Sequence, residues 1–413
     1  MQLQPGKAAR SRTATLLFGG FALALVILIL AYPDDAFQAS LGGLRLWWTV
    51  LVPGLLPYLV VIELFAGFGL VRAFGALVEP PLRALFRIPP GGGTAVVAGF
   101  LGGFPQGALA AGRLCAGRKP PRQETDQLFF LSHLCSPALL VTVVGAGFLQ
   151  NVRAGVLLAF VHYLSAGAAA WLGRLTPASR PAASGSPKAS GSREEPAEPF
   201  FTALQTARKE DGRTFGQLLG DAVTASLQTL FTLSGFIILF SVLTRMISLQ
   251  LPDEGIRSWF LLIPAILEPH LGAYAAASRL EPSALQLAVM GAALAWGGIS
   301  QHLQLKAVAG DAPPGYARFL AGRLLHALLA FGLTLAAAAP LAEWLFSAQG
   351  ASLGSLPLPA SPAAAEPVTA LQALFSGGWT FLMRSLKLSL AAAGLLLGAA
   401  ALCGRLGKRV PRH

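Results

Sequence analysis

The chain has 413 residues, 54% of them hydrophobic and only 12% charged, and its mean hydropathy is +0.60. That balance excludes an ordinary soluble globule and points to an all-α integral membrane protein. The formal charge of +12 does not mark a nucleic-acid binder, because the cations are spread over the segments between apolar runs instead of gathered in one soluble domain.

Lys7, Arg10 and Arg12 precede a long apolar stretch, 15–32, with no small-residue cleavage site after it, so the stretch reads as an uncleaved first helix. A second helix is expected from near Leu44, with Trp47 and Trp48 at the outer interface and kinks at Pro53 and Pro57. Glu63 in this helix reads as a carboxylate paired with a hydroxyl or an Arg. Residues 74–90 are too charged to span. They read as an interfacial helix with Leu and Phe on one side and Arg83 and Arg87 on the other. A re-entrant hairpin follows at 94–114, a helix broken at its centre at 128–149, and a full helix at 153–175. Residues 176–212, rich in Pro, Ala, Ser, Gly and charge, read as a flexible linker with no core of its own. The order then repeats: a helix at 214–248, a hairpin at 259–280, a broken helix at 285–310 and a full helix at 316–346. A segment without Lys or Arg, 351–367, precedes a last helix at 371–403 and a basic tail.

The expected organisation is an N-terminal stub and first helix (1–40), a first repeat (41–175), the linker (176–213), a second repeat (214–346), an extracytoplasmic loop (347–370) and a last helix with its tail (371–413). About eight transmembrane helices plus two re-entrant hairpins follow from the lengths of the apolar runs. With the N-terminus in the cytosol, 24 of the 31 Lys and Arg residues fall on the cytosolic side and 7 on the other, which supports cytosolic N- and C-termini. Each half crosses an odd number of times, so the copies form inverted-topology repeats with broken helices. Pro105 and Pro269, Ser136 and Ser300, and His162 and His326 each lie 164 positions apart.

The polar, helix-breaking residues inside these apolar elements are the candidate site. Irregular backbone at membrane depth is tolerated only against protein or a water-filled cavity. Gly102, Gly103, Phe104, Pro105, Gln106 and Gly107 supply the turn of the first hairpin. Glu268, Pro269, His270 and Gly272 are expected to supply the turn of the second. The broken helices have polar centres at Ser132, His133, Ser136 and Pro137, and at Gly297, Gly298, Ser300, Gln301 and His302. A half-helix that starts after such a break exposes unpaired N–H groups that favour an anion. His133, His162, His270, His302 and His326 lie in or beside membrane elements, where imidazole can carry a proton, and Glu268 is a second candidate. The three cysteines, Cys115, Cys135 and Cys403, are isolated and read as packing residues. No phosphate-binding loop, H-E-x-x-H, G-x-S-x-G or Cys/His array occurs. The chain is therefore expected to be no enzyme and to use no cofactor or metal. Its expected partners are the lipid bilayer and a small anionic solute, not nucleic acid, and a homo-oligomer is left open.

The strings AYPDDAFQASLGGLRLWWTVLVPGLLPYLVVIELFAGFGLV, LVEPPLRALFRIPP, GFLGGFPQGALAAGRL and SHLCSPALL together resemble the YlbJ (SpoVV) family of sporulation integral membrane proteins, which carries a nucleoside-recognition or gate domain. The resemblance covers most of residues 30–345. It implies two gate-type repeats and a multi-pass protein of the cell membrane or outer forespore membrane. It further implies a transporter that moves dipicolinic acid out of the mother cell during endospore formation. The family hairpin often carries a basic residue soon after G-F-P-x-G-A. Here the nearest is Arg113, so the Gly-Phe-Pro turn carries over better than a cation beside it. Two other readings remain beside this one: a nucleoside or nucleobase transporter, and a non-transporting structural membrane protein of sporulation.

Overall fold

The computed structural model describes residues 5–174, 198–251, 263–310 and 313–346. The predicted loop 347–370 and last helix 371–403 lie outside these residues, as does most of the predicted linker. Among the described residues there is no strand. Four helical stretches are long and apolar enough to cross a membrane: Pro33–Gly67, Val152–Gly173, Phe215–Leu249 and Tyr316–Ala338. Shorter apolar helices occur at Thr15–Ala31, Gly92–Gly102 and Leu139–Phe148. The protein is an all-α, multi-pass membrane protein.

Helix α1 (Pro5–Ala31) ends at Tyr32, where Pro33 opens a new helix because its missing donor costs nothing in a first turn. From there α2 (Pro33–Leu46), a π-helical turn (Trp47–Leu51) and α3 (Val52–Gly67) form one rod of 35 residues. The rod therefore starts at Pro33 and not near Leu44. Asp34 and Asp35 in its first turn suit the positive end of the helix dipole. Trp48 is exposed as an interfacial residue should be. Trp47, expected beside it, is instead buried and donates to the Leu230 carbonyl at 2.8 Å.

The first half continues with α4 (Leu70–Phe86), α5 (Gly92–Gly102), α6 (Gln106–Arg118), α7 (Arg122–Ser132), a π-helix (Leu139–Phe148) and α8 (Val152–Gly173). Next comes α9 (Phe200–Asp211), which corrects the linker reading over those residues. Its Ala203 is buried, Phe200 meets Phe74 of α4 edge-on, and Glu198 and Glu210 both hold Arg72. Composition hid this helix because its apolar residues complement α4 instead of forming a core of their own. The second half comprises α10 (Phe215–Leu249), α11 (Ile263–Leu267), α12 (Pro269–Arg279), α13 (Ala284–Trp296), α14 (Gly298–Val308), α15 (Tyr316–Ala338) and α16 (Ala342–Phe346).

Helix α10 starts at a capping box, Thr214 with Gln217. Just before it, hydrogen bonds from Arg213 hold the Asp211 carboxyl below its usual range. A lowered carboxyl pKa stabilises above the unfolded value, and that stabilisation is lost as pH falls through the lowered one.

Two antiparallel helix pairs frame the molecule. Along the first, Asp35 pairs with Arg245 at 2.5 Å, Gly43 abuts Ser241, Trp47 reaches Leu230, and Gly67 meets Leu218. The α2–α3 rod and α10 therefore run in opposite directions. Along the second, Arg153 and Asn151 at the start of α8 bond to the carbonyls of Trp344 and Leu345, beyond the end of α15. At mid-length His326 Nε2 lies 3.0 Å from the His162 carbonyl, with ring centroids 4.7 Å apart.

Asn151 caps α8 by accepting from the Ala154 N–H and also donates to Leu345 at 2.6 Å. Asn151→Ala removes both bonds and is expected to cost about 2 kcal/mol, read as a lower thermal midpoint in detergent.

Candidate functional site

The first hairpin, α5 and α6, leaves helical geometry only at Gly103, Phe104 and Pro105, with a cis Phe104–Pro105 peptide and φ +70° at Gly103. Its arms close on each other at Gly99 and Gly107, and the Ser132 carbonyl at the end of α7 packs against both.

Helix α7 stops at Ser132, and the chain stays irregular from His133 to Ser136 before resuming at Pro137. Neighbouring helices satisfy most of this break. The His162 ring accepts the Cys135 N–H at 3.3 Å, and the Tyr163 hydroxyl donates to the Cys135 carbonyl at 2.7 Å. Ser136 Oγ accepts the Leu139 N–H at 3.2 Å, capping the second half of the element. Arg323 of α15 donates to the carbonyls of Phe130 and His133. His133 Nε2 lies 3.2 Å from the Gln301 carbonyl, and its ring meets Phe104 edge-on at 4.7 Å, so this break touches both the first hairpin and the second half.

The second half departs from the sequence reading in two ways. The expected turn at Glu268–Gly272 shrinks to Glu268 alone. Pro269, His270 and Gly272 belong to the start of α12, where Pro269 is at home in a first turn. Glu268 is the N-cap, its Oε2 accepting the Leu271 N–H at 2.7 Å while Oε1 lies 2.5 Å from His270 Nδ1. The second break is likewise a single sharp joint. Gly297 and Gly298 take φ of +82° and +67°, a conformation side chains disfavour, and Gly298 abuts the backbone of Leu267 and Glu268. Ser300, Gln301 and His302 are then helical residues of α14, not an unwound centre.

A cavity of 540 Å³ lies between these elements. Of the predicted residues it brings together Gly102, Gly103, Phe104, Pro105 and Gln106 from the first tip. Ser136 comes from the first break, His270 from α12 and Gln301 from α14. Gly107, Ser132, His133, Pro137, Glu268, Pro269, Gly272, Gly297, Gly298, Ser300 and His302 are not in its lining. His302 is turned to the Trp296 carbonyl and the Tyr316 hydroxyl instead.

The chain is similar to the sporulation integral membrane protein YlbJ of Bacillus subtilis (strain 168), with 34% identity over 342 residues, 78% of this chain and 82% of that protein. The chain belongs to the YlbJ family. No protein-family model and no solved structure matches it.

In this YlbJ-family protein the cavity also takes residues outside the predicted site. Arg113, the nearest cation to the Gly-Phe-Pro turn, lines it, and Glu63 supplies the opposite charge. Gln228, Thr229 and Thr232 from α10 and Gln304 from α14 add neutral polar groups. No signal short of the fold selects the α10 residues, which sit in an ordinary spanning helix. Arg323 is only 1% exposed, held between the rings of Phe130 and Phe319. Its signal was available: the one Lys or Arg inside the apolar run 319–346 is a functional suspect by default.

Proposed function

We propose that the protein is a sporulation membrane transporter that moves a small aromatic dicarboxylate, dipicolinic acid, across the outer forespore membrane by alternating access. The sporulation role rests on kinship with the Bacillus subtilis protein. The transport reading rests on one observation above all: the first hairpin tip, the first break and the starts of α12 and α14 share a single polar-lined cavity inside an apolar helical protein. Its volume falls in the range of about 300–1,000 Å³ usual for small-molecule sites. Dipicolinate is a flat aromatic dianion. Arg113 suits a carboxylate through a two-pronged hydrogen bond, and Phe104 offers a face to the ring.

The inverted-repeat reading draws support from the two antiparallel pairs. The α2–α3 rod and α10 hold equivalent places in the two halves, as do α8 and α15, and the members of each pair run oppositely. His162 and His326, 164 positions apart, meet where α8 and α15 cross, as residues related by a pseudo-two-fold axis do. The α5–α6 and α11–α12 hairpins then act as opposed gates on one central site, with both termini in the cytosol.

A nucleoside carrier is the second reading, favoured by the neutral amides of Gln106, Gln228, Gln301 and Gln304 in the cavity wall. Reconstitution in liposomes separates the two. Labelled dipicolinate is expected to enter, with no competition from nucleosides, and a Gly103→Leu, Pro105→Leu double variant is expected to slow entry by about tenfold or more. Uptake of nucleosides alone rejects the dicarboxylate reading, and full activity of the double variant rejects the hairpin as a gate.

A further inference from the structure

We propose that the Glu268–His270 pair is a proton-binding site, and that its proton travels with the anionic solute. This rests on the transport reading above. Glu268 is 0% exposed and His270 4%. Among the described residues the imidazole is the carboxylate's only ion-pair partner, at 2.5 Å. A buried carboxylate persists when it is paired and hydrogen-bonded on both oxygens. The second oxygen accepts the Leu271 N–H at the start of α12, where the helix dipole also favours negative charge. The ionised carboxylate is therefore the form this geometry accommodates.

The pair then has two proton states. With a single ring proton, on Nδ1 and donated to Oε1, it carries a net charge of −1. A second proton, on Nε2, makes imidazolium and brings the pair to zero. His270 lines the cavity and its Nδ1 is committed to Glu268, so Nε2 is the nitrogen left to take a proton from the cavity. No other charge on the surrounding elements does this work. Helices α11 and α13 and the π-helix carry no ionisable group. Helix α10 has Asp221 and Arg245, both toward its ends, and α12 itself has Tyr274, on the outer surface, and Arg279 in its last turn. On α14, His302 is turned to Trp296 and Tyr316, and Lys306 lies over the Tyr316 ring. Cys135 stands at the first break, and Arg113 and Glu63 line the same cavity. Beside the fixed charges of Arg113 and Glu63, a dianion entering that space meets one more like charge when the pair is unloaded than when it is loaded. Solute and proton thus raise each other's affinity.

The test uses the full-length protein in liposomes with a pH-sensitive dye inside and labelled dipicolinate outside. An acid-outside step is expected to raise the initial uptake rate about tenfold, with acidification of the lumen in step with the solute. Glu268→Gln can still cap α12, and with His270→Gln it is expected to lose the response to the step while retaining some exchange of solute at equal pH. Wild-type uptake indifferent to the step, or a Glu268→Gln protein that responds fully, overturns the proposal. A wild type that carries no dicarboxylate at all overturns the transport reading instead. A readout that needs no variant is proton uptake in unbuffered detergent. Adding fully ionised dipicolinate is expected to take up about one proton per chain, and solute binding without proton uptake also overturns the proposal.

Discussion

Gly107→Val is expected to leave almost no monodisperse protein after extraction from the membrane. A Cβ at Gly107 would fall on the Ser132 carbonyl and on the Gly99 Cα. Both obstacles are backbone, so no side chain can swing aside. Relief requires α5, α6 and the end of α7 to separate, and those three elements hold the Gly102–Gln106 wall of the cavity. Overpacking a well-filled interior costs about 1–3 kcal/mol, and more where the backbone itself must move. The control is Gly117→Val on the same helix, where an added Cβ meets nothing within 4 Å. That variant is expected to purify at the wild-type yield. A Gly107→Val protein with an unchanged thermal midpoint would show that the hairpin does not close against α7 as described.

Arg323→Met is expected to destabilise the protein by about 2–4 kcal/mol, with Arg323→Lys between it and the wild type. Methionine keeps the packing between Phe130 and Phe319 but leaves the carbonyls of Phe130 and His133 without their donor. Each orphaned buried acceptor costs about 1–3 kcal/mol, while removing a buried guanidinium that has no carboxylate partner among the described residues returns part of that. Lysine restores a charged donor, but a point charge cannot reproduce the planar fork. The order wild type, Lys, Met in thermal midpoint is the expected readout. Equal midpoints for Met and wild type would mean that the end of α7 needs no cap.

The helices were legible wherever the apolar pattern is long, as in 153–175 and 214–248, because length and hydropathy alone set a spanning helix. The helix breaks were legible where the residues permit nothing else: Gly102-Gly103-Phe104-Pro105 cannot continue a helix, and Pro137 marks the restart after the first break. The second half was harder to read, for local reasons. Glu268-Pro269-His270 looks like a turn in a linear string, yet Pro at a first helical position with an acidic residue before it is also a helix start, and the packing of Gly298 on Glu268 decides in favour of the start. Helix α9 was lost because its neighbour α4 supplies the surface that stabilises it. The environments of Arg113 and Arg323 are set by contacts with residues far away in sequence, which no local pattern shows.

The backbone of the first break is largely furnished from within the protein: α8 lends His162 and Tyr163, and α15 lends Arg323. A visiting molecule therefore has no scaffolding to erect there, and little of its binding energy is consumed in ordering the pocket. Under the carrier reading proposed above, a site that is finished before anyone arrives is spared that ordering cost in every cycle.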